Sequence, residues 1–239
     1  MSRVGLDREP SDPTEPHTSR TVDESIAGLR LHALEMGALV IDQVSSAATA
    51  LLERNATLAQ TVLAREPLVD RFDRQLDHDS LTFIALQKPV ANDLRLSRAI
   101  VRIGRELERA GDEARKIARF ALTLEESTGI DPVVAVSRHL RHMAALSVSM
   151  LRSAVRAADE VDPALAESVL KRDAELDAEF AAALRQIMSY VLQDHRFLRP
   201  TIDTIFALKG LERIGDHATN VAEQVLYMVG REPHAANAA

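Results

Sequence analysis

Cysteine is absent from the chain, which removes disulfides, thiolate metal sites and cysteine nucleophiles together. Tryptophan is absent too, tyrosine occurs twice, and aromatics make up only 3% of the 239 residues. Alanine and leucine therefore carry the apolar load, a bias toward closely packed helices rather than sheet. No apolar run approaches the ~18 residues that a membrane span requires. The opening MSRVGLDREP has no apolar centre and does not read as a secretory signal, so a cytoplasmic protein is expected. Basic excess is missing as well: 29 Lys and Arg against 36 Asp and Glu leave a net charge of −7. No basic stripe offers itself to nucleic acid. Glycine-rich phosphate loops, Gly-x-Ser-x-Gly and His-Glu-x-x-His are not found. A ferritin-type di-metal oxidase needs Glu-x-x-His pairs, but the residue three before His217 is Ile214. With no catalytic constellation in view, the chain is expected not to be an enzyme. His139 and His142, at the start of the fourth helix, are expected at the surface.

Structure-breaking residues are sparse and placed. Residues 1–22, with Pro10, Pro13 and Pro16 among scattered charges, and 232–239 carry too little apolar surface to fold and are expected to be disordered. Pro89, Pro132, Pro163 and Pro200 fall where helices should begin, a position proline tolerates. Pro67 does not, and marks a kink or an early turn. The stretch 126–132, ESTGIDP, reads as a linker between a first unit, 23–125, and a second, 133–231.

The two units are copies. Shifted by 107, residues 36–65 fall on 143–172 with 12 identities in 30; shifted by 104, residues 107–122 fall on 211–226 with 8 in 16. The change of offset places a length difference in the connection between second and third elements, where insertions are tolerated. Leu96, Ile100, Ile103, Leu107, Ala110, Ala114, Ile117 and Ala121 follow a 4-3 spacing, as do Ala207, Leu211, Ile214, Ala218, Val221, Val225 and Met228. That is the apolar seam of a helical bundle. The patterns predict helices near 24–54, 57–86, 90–123, 133–160, 163–193 and 201–230. The expected fold is all-α: two tandem three-helix bundles related by internal duplication.

The third helix of each copy repeats one hexapeptide, LERAGD at 107–112 and LERIGD at 211–216. Each copy accepts a mid-helix glycine, which costs about 1 kcal/mol against alanine, and two carboxylates one turn apart, which repel. Taking Leu107 as heptad position a puts Glu108 and Asp112, and likewise Glu212 and Asp216, off the seam on an outer face. Gly111 and Gly215 suit a close helix–helix approach. The second helices add Glu66 with Asp70 and, at the same offset, Asp173 with Asp177. Two readings fit this spacing. One is a solvated, salt-bridged face, natural in the first copy, where Arg105, Arg109, Arg115 and Lys116 lie nearby. It is less natural in the second, where Thr219 and Asn220 replace Arg115 and Lys116. The other is a site for a hard cation such as magnesium, calcium, manganese or iron, bound through carboxylate oxygens.

LERAGD with LERIGDHATNVAE resembles the signature of the PhoU family of phosphate-signalling accessory proteins. ALQKPVANDLR, 85–95, is similar to that family's turn between second and third helices, and Asp173-x-x-Leu176-Asp177 to its fifth helix. The resemblance spans roughly 25–231. It implies metal ions (iron, manganese, magnesium or zinc) held through Glu/Asp-x-x-x-Asp pairs. By position these are Glu108, Asp112, Glu212 and Asp216, with Glu66, Asp70, Asp173 and Asp177 opposite. Asp73 and Asp77 also fit the family's acidic second helix but have no counterparts in the second copy. Glu66 departs from the pattern in preceding Pro67. The resemblance further implies negative regulation of the phosphate-starvation response, through a phosphate-transporter ATPase and a sensor histidine kinase. A homodimer is expected, peripheral to the membrane through those partners. The alternatives are a metal-storage or buffering bundle without a phosphate role, and a helical scaffold that binds no metal.

Overall fold

The computed structural model describes residues 20–125, 132–193 and 198–231, and every regular element among them is helical. The order is α1 (Arg20–Glu53), α2 (Ala56–Gln87), α3 (Ala91–Glu125), a single-turn α4 (Pro132–Ala135), α5 (Ser137–Glu160), α6 (Pro163–Gln193) and α7 (Leu198–Met228). Of the segments expected to be disordered or linking, 1–19, 126–131 and 232–239 lie outside the described residues. Helix α1 already begins at Arg20, inside the expected disordered stretch, and Pro132 opens α4. The helix α2 runs through Pro67, forfeiting one backbone bond there.

The duplication is written into the turns as well as the helices. Asn55 caps α2, its side-chain oxygen accepting from the Leu58 amide at 3.0 Å. Its counterpart at the 107 offset, Asp162, accepts from the amides of Ala164 at 2.9 Å and Leu165 at 3.1 Å. Such caps satisfy amides that the first helical turn leaves without partners. The residues just before them, Arg54 and Val161, both take a left-handed backbone, with φ of 52° and 49°.

The predicted seams form the core. All eight positions from Leu96 to Ala121 on α3 are at most 3% exposed, and all seven from Ala207 to Met228 on α7 at most 5%. Each fully buried leucine or isoleucine stabilises by about 1.5–3 kcal/mol. Helix α3 packs against α1, α2 and α7, and α7 against α5, α6 and α3, while α1 also meets α5. One apolar core thus runs through both copies, with α2 and α6 on the outside. Where the copies meet, each helix faces its own counterpart.

The expected fourth helix is broken. Val136, at φ −112° and ψ 16°, separates α4 from α5. The Ala135 carbonyl beside the break accepts from Gln186 of α6 at 2.7 Å. His139 is not at the surface as expected but 4% exposed: its Nδ1 lies 2.7 Å from a Glu179 oxygen and its Nε2 2.8 Å from the side-chain Oε1 of Gln186. Its neighbour His142 does stand half-exposed, 3.5 Å from Glu175. In the first copy the counterparts of His139 and Gln186 are His32 and Asp79, 3.1 Å apart. The coincidence of two histidines at the repeat offset is the signal that would have found this contact from sequence.

Candidate functional site

Helix α3 has three neighbours, so its seam is not its only buried stripe. The stripe bearing Glu108 and Asp112 faces α2, and on α7 the stripe bearing Glu212 and Asp216 faces α6. The expectation that these carboxylates lie on an outer face, away from the interior, is therefore corrected. Glu212 is 8% exposed and the others are half-buried between helices.

In the second copy the close approach is made by a leucine. A Cβ built on Gly215 would stand 2.2 Å from Leu176 Cδ2, so the glycine lets α6 lean into α7. Asp173 and Asp177 flank Leu176 on α6, and Glu212 and Asp216 flank Gly215 on α7. The four carboxylates share one interhelical seam. Burial, then the neighbouring Asp177, Asp216 and Glu212, push the Asp173 carboxyl up to about 6. Burial also raises Glu212 and Asp216, against the opposing pull of Lys209. One Glu212 oxygen accepts from Lys209; the other, Oε2, is buried with no hydrogen-bond partner. Among the described residues no lysine or arginine forms an ion pair with Asp173, Asp177 or Asp216. Thr219, which stands where the first copy has Arg115, turns its hydroxyl back to the Asp216 carbonyl at 2.7 Å.

The first copy is built on the same frame but filled differently. Gly111 is not in a tight approach: its nearest neighbours, Gln43 Oε1 and Val69 Cγ1, would both lie 3.5 Å from an added Cβ. Arg115 reaches across from α3, pairing with Asp112 at 2.8 Å and with Glu66 of α2. Of the other cations expected to answer Glu108 and Asp112, Arg105 goes to Asp73 at 2.9 Å, Arg109 to Glu106 and Lys116 to Glu113. Burial, then Asp112 and Asp73, raise Glu108. Burial also raises Asp73 against Arg105, with Asp77 and Asp70 adding to the rise. Asp73 thus belongs to this acidic group, although no acid stands at its counterpart, Phe180.

Oxygen donors of this kind suit a hard cation, and the second copy supplies them in the unpartnered Glu212 oxygen and three neighbouring aspartates. In the first copy a guanidinium already joins Glu66 to Asp112. Among the described residues no three acidic or imidazole groups are drawn together tightly enough to hold one ion, as expected of like charges that repel without a cation between them.

A second polar group, at the junction of the copies, was not read from the sequence. His217 Nδ1 lies 2.9 Å from Glu106 Oε2, and the Asn220 amide donates to the same oxygen at 2.9 Å. Burial would raise the Glu106 carboxyl, but these two bonds, with the electrostatic attraction of His217 and Arg109, outweigh it and hold the group below the usual range. Nearby, Arg213 lies 3.5 Å from Glu113, Arg102 bonds Gln224 at 3.5 Å, and Phe120 stacks on Phe206 with centroids 6.1 Å apart.

A family model described as PhoU domain matches the chain twice, over 33–121 and 140–225. The chain belongs to the PhoU family. A relative from Pseudomonas putida, named phosphate-specific transport system accessory protein PhoU homolog, is 39% identical over 89% of this chain and 82% of its own length. The one of the same name from Pseudomonas aeruginosa is 38% identical, over 89% and 87%. The crystal structure of PhoU from Pseudomonas aeruginosa superposes with a TM-score of 0.82 at 37% identity, covering 87% of this chain and 98% of that one. The two matched PhoU segments each take in one copy of the acidic hexapeptide, so family and internal duplication coincide.

Proposed function

We propose that this chain is a non-enzymatic regulator that couples a high-affinity phosphate ABC transporter to a two-component sensor kinase. In this reading it represses the phosphate-starvation response and modulates phosphate uptake. The observation that carries it is the double PhoU match, together with relatives named as accessory proteins of a phosphate-specific transport system. The protein works at the cytoplasmic side, as a homodimer docked on the transporter ATPase and the kinase. No described helix is long and apolar enough to cross a membrane, which supports docking rather than insertion.

Metal is part of the same reading: iron, manganese, magnesium or zinc, with Glu66, Asp70, Glu108 and Asp112 in one half and Asp173, Asp177, Glu212 and Asp216 in the other as candidate ligands. A bound cation would supply charge neutralisation and a bridge between neighbouring helices. The unpartnered Glu212 oxygen favours the second set.

Deletion of the gene with a phosphate-starvation reporter in rich phosphate tests the regulatory role. The reporter should rise; a reporter that stays low overturns the proposal. A storage protein would instead carry much metal per chain and leave the reporter unmoved.

A further inference from the structure

We infer that Arg115 is a built-in counter-ion that closes the acidic seam of the first copy to metal, so that the chain takes a hard divalent cation through the second copy alone. The inference rests on the metal reading above and makes it asymmetric. In the first copy the carboxylates that face each other across the two helices, Glu66 and Asp112, are joined by the Arg115 guanidinium. Arginine keeps its charge at any pH a protein meets, and its planar fork matches carboxylates. The side chain is only 22% exposed, so salt screens the pairing weakly. A divalent ion seated between α2 and α3 would have to displace this cation or sit beside it.

The counterparts of Glu66 and Asp112 are Asp173 and Asp216, and among the described residues no lysine or arginine forms an ion pair with either. Thr219 has replaced the arginine and spends its hydroxyl on its own helix. Glu212, 8% exposed, brings an oxygen without a hydrogen-bond partner to the same seam. Of the other cations, Arg105 and Arg109 have Lys209 and Arg213 as counterparts, while Lys116, which pairs with Glu113 on its own helix, becomes Asn220. The copies therefore differ where Arg115 reaches from α3 to Glu66 of α2 and Thr219 does not reach α6; Arg105 also crosses, to Asp73, while Lys209 stays on its own helix with Glu212.

The test titrates the metal-free full-length protein with Mn²⁺, reading free Mn²⁺ by electron paramagnetic resonance. Circular dichroism melts establish that each variant is folded. Wild type should show one tight class of sites, lost in Asp216→Asn and kept in Asp112→Asn. Arg115→Thr should add a second class, at least ~10-fold tighter than any first-copy binding in wild type, as expected for removing one nearby positive charge. Thr219→Arg, which replaces a hydroxyl bonded within its own helix, should abolish the tight class. Equal binding at both copies of wild type, unchanged by Arg115→Thr, overturns the inference and leaves the metal reading standing. No Mn²⁺ binding by wild type or by Arg115→Thr overturns both.

Discussion

At the scale of single residues, the repeated glycine shows how one motif can do different things in two places. Gly215→Ala must force its new methyl against Leu176 Cδ2, on a side chain that is fully buried, with Met150 Cε also within 3.7 Å of the new methyl. Overpacking of this kind costs about 1–3 kcal/mol, more than the ~1 kcal/mol that alanine returns in helix propensity. Gly111→Ala meets only ordinary contacts at 3.5 Å and beyond, so the propensity gain should stand, at up to about 1 kcal/mol. Urea unfolding of the two variants should therefore shift in opposite directions. A sign reversal at either site would show that the two glycines are not packed in these two ways. The Asp173 carboxyl gives a second residue-scale expectation, for metal-free protein. Its folded value, about 6, lies above its ordinary 3.8, so the folded state holds a proton more firmly than the unfolded chain. That contribution to stability is complete at low pH and is lost as pH rises through about 6. Asp173→Asn should flatten the fall in melting temperature across this window and raise stability at neutral pH.

At the scale of elements, most of the helices could be read from the sequence because burial repeats along one line. The seams on α3 and α7 are unbroken 4-3 patterns, long enough to carry the helices through their interior glycines. Two features were illegible for one shared reason, in that both depend on residues far along the chain. The break at Val136 is fixed by Gln186 and His139 meeting across helices, not by any local signal. The burial of Glu212 and its neighbours follows from α6 lying along a second stripe of α7, which a single heptad assignment cannot show. The caps were equally hidden, although Asn55 and Asp162 sit at the repeat offset. Replacing either by alanine should cost about 1 kcal/mol. The two losses should add in a double variant, since the sites are far apart and share no partner. Thermal denaturation of the three variants checks this.

At the scale of the molecule, the continuous core predicts that the halves do not unfold separately. Calorimetry should show one transition, with calorimetric and van't Hoff enthalpies in agreement; two transitions would mean the halves are independent. The junction also carries a pH signature. Glu106 is held below its ordinary value, so its contribution is present above about 4.5 and is lost as pH falls through the lowered folded value. Glu106→Gln should therefore leave a protein whose acid limb of stability is shallower than that of wild type.

The reciprocity of that junction has a historical meaning. Glu106 faces His217, and the counterparts of those two residues, Gly210 and Glu113, are also neighbours, a Glu113 oxygen lying 3.6 Å from where a Gly210 Cβ would stand. Arg102 meets Gln224, and their counterparts are the stacked Phe206 and Phe120. Contacts that return when the two partners exchange places are the mark of an isologous interface, the kind found between identical subunits. A chain of half this length would have presented that same face to a twin, and gene fusion would have made the pairing permanent while freeing each side to diverge. Arg102 with Gln224, beside Phe206 with Phe120, records such divergence within one ancestral contact. Two polypeptides produced by cutting the gene within 126–131 should accordingly find each other in solution and restore the helical content of the intact chain.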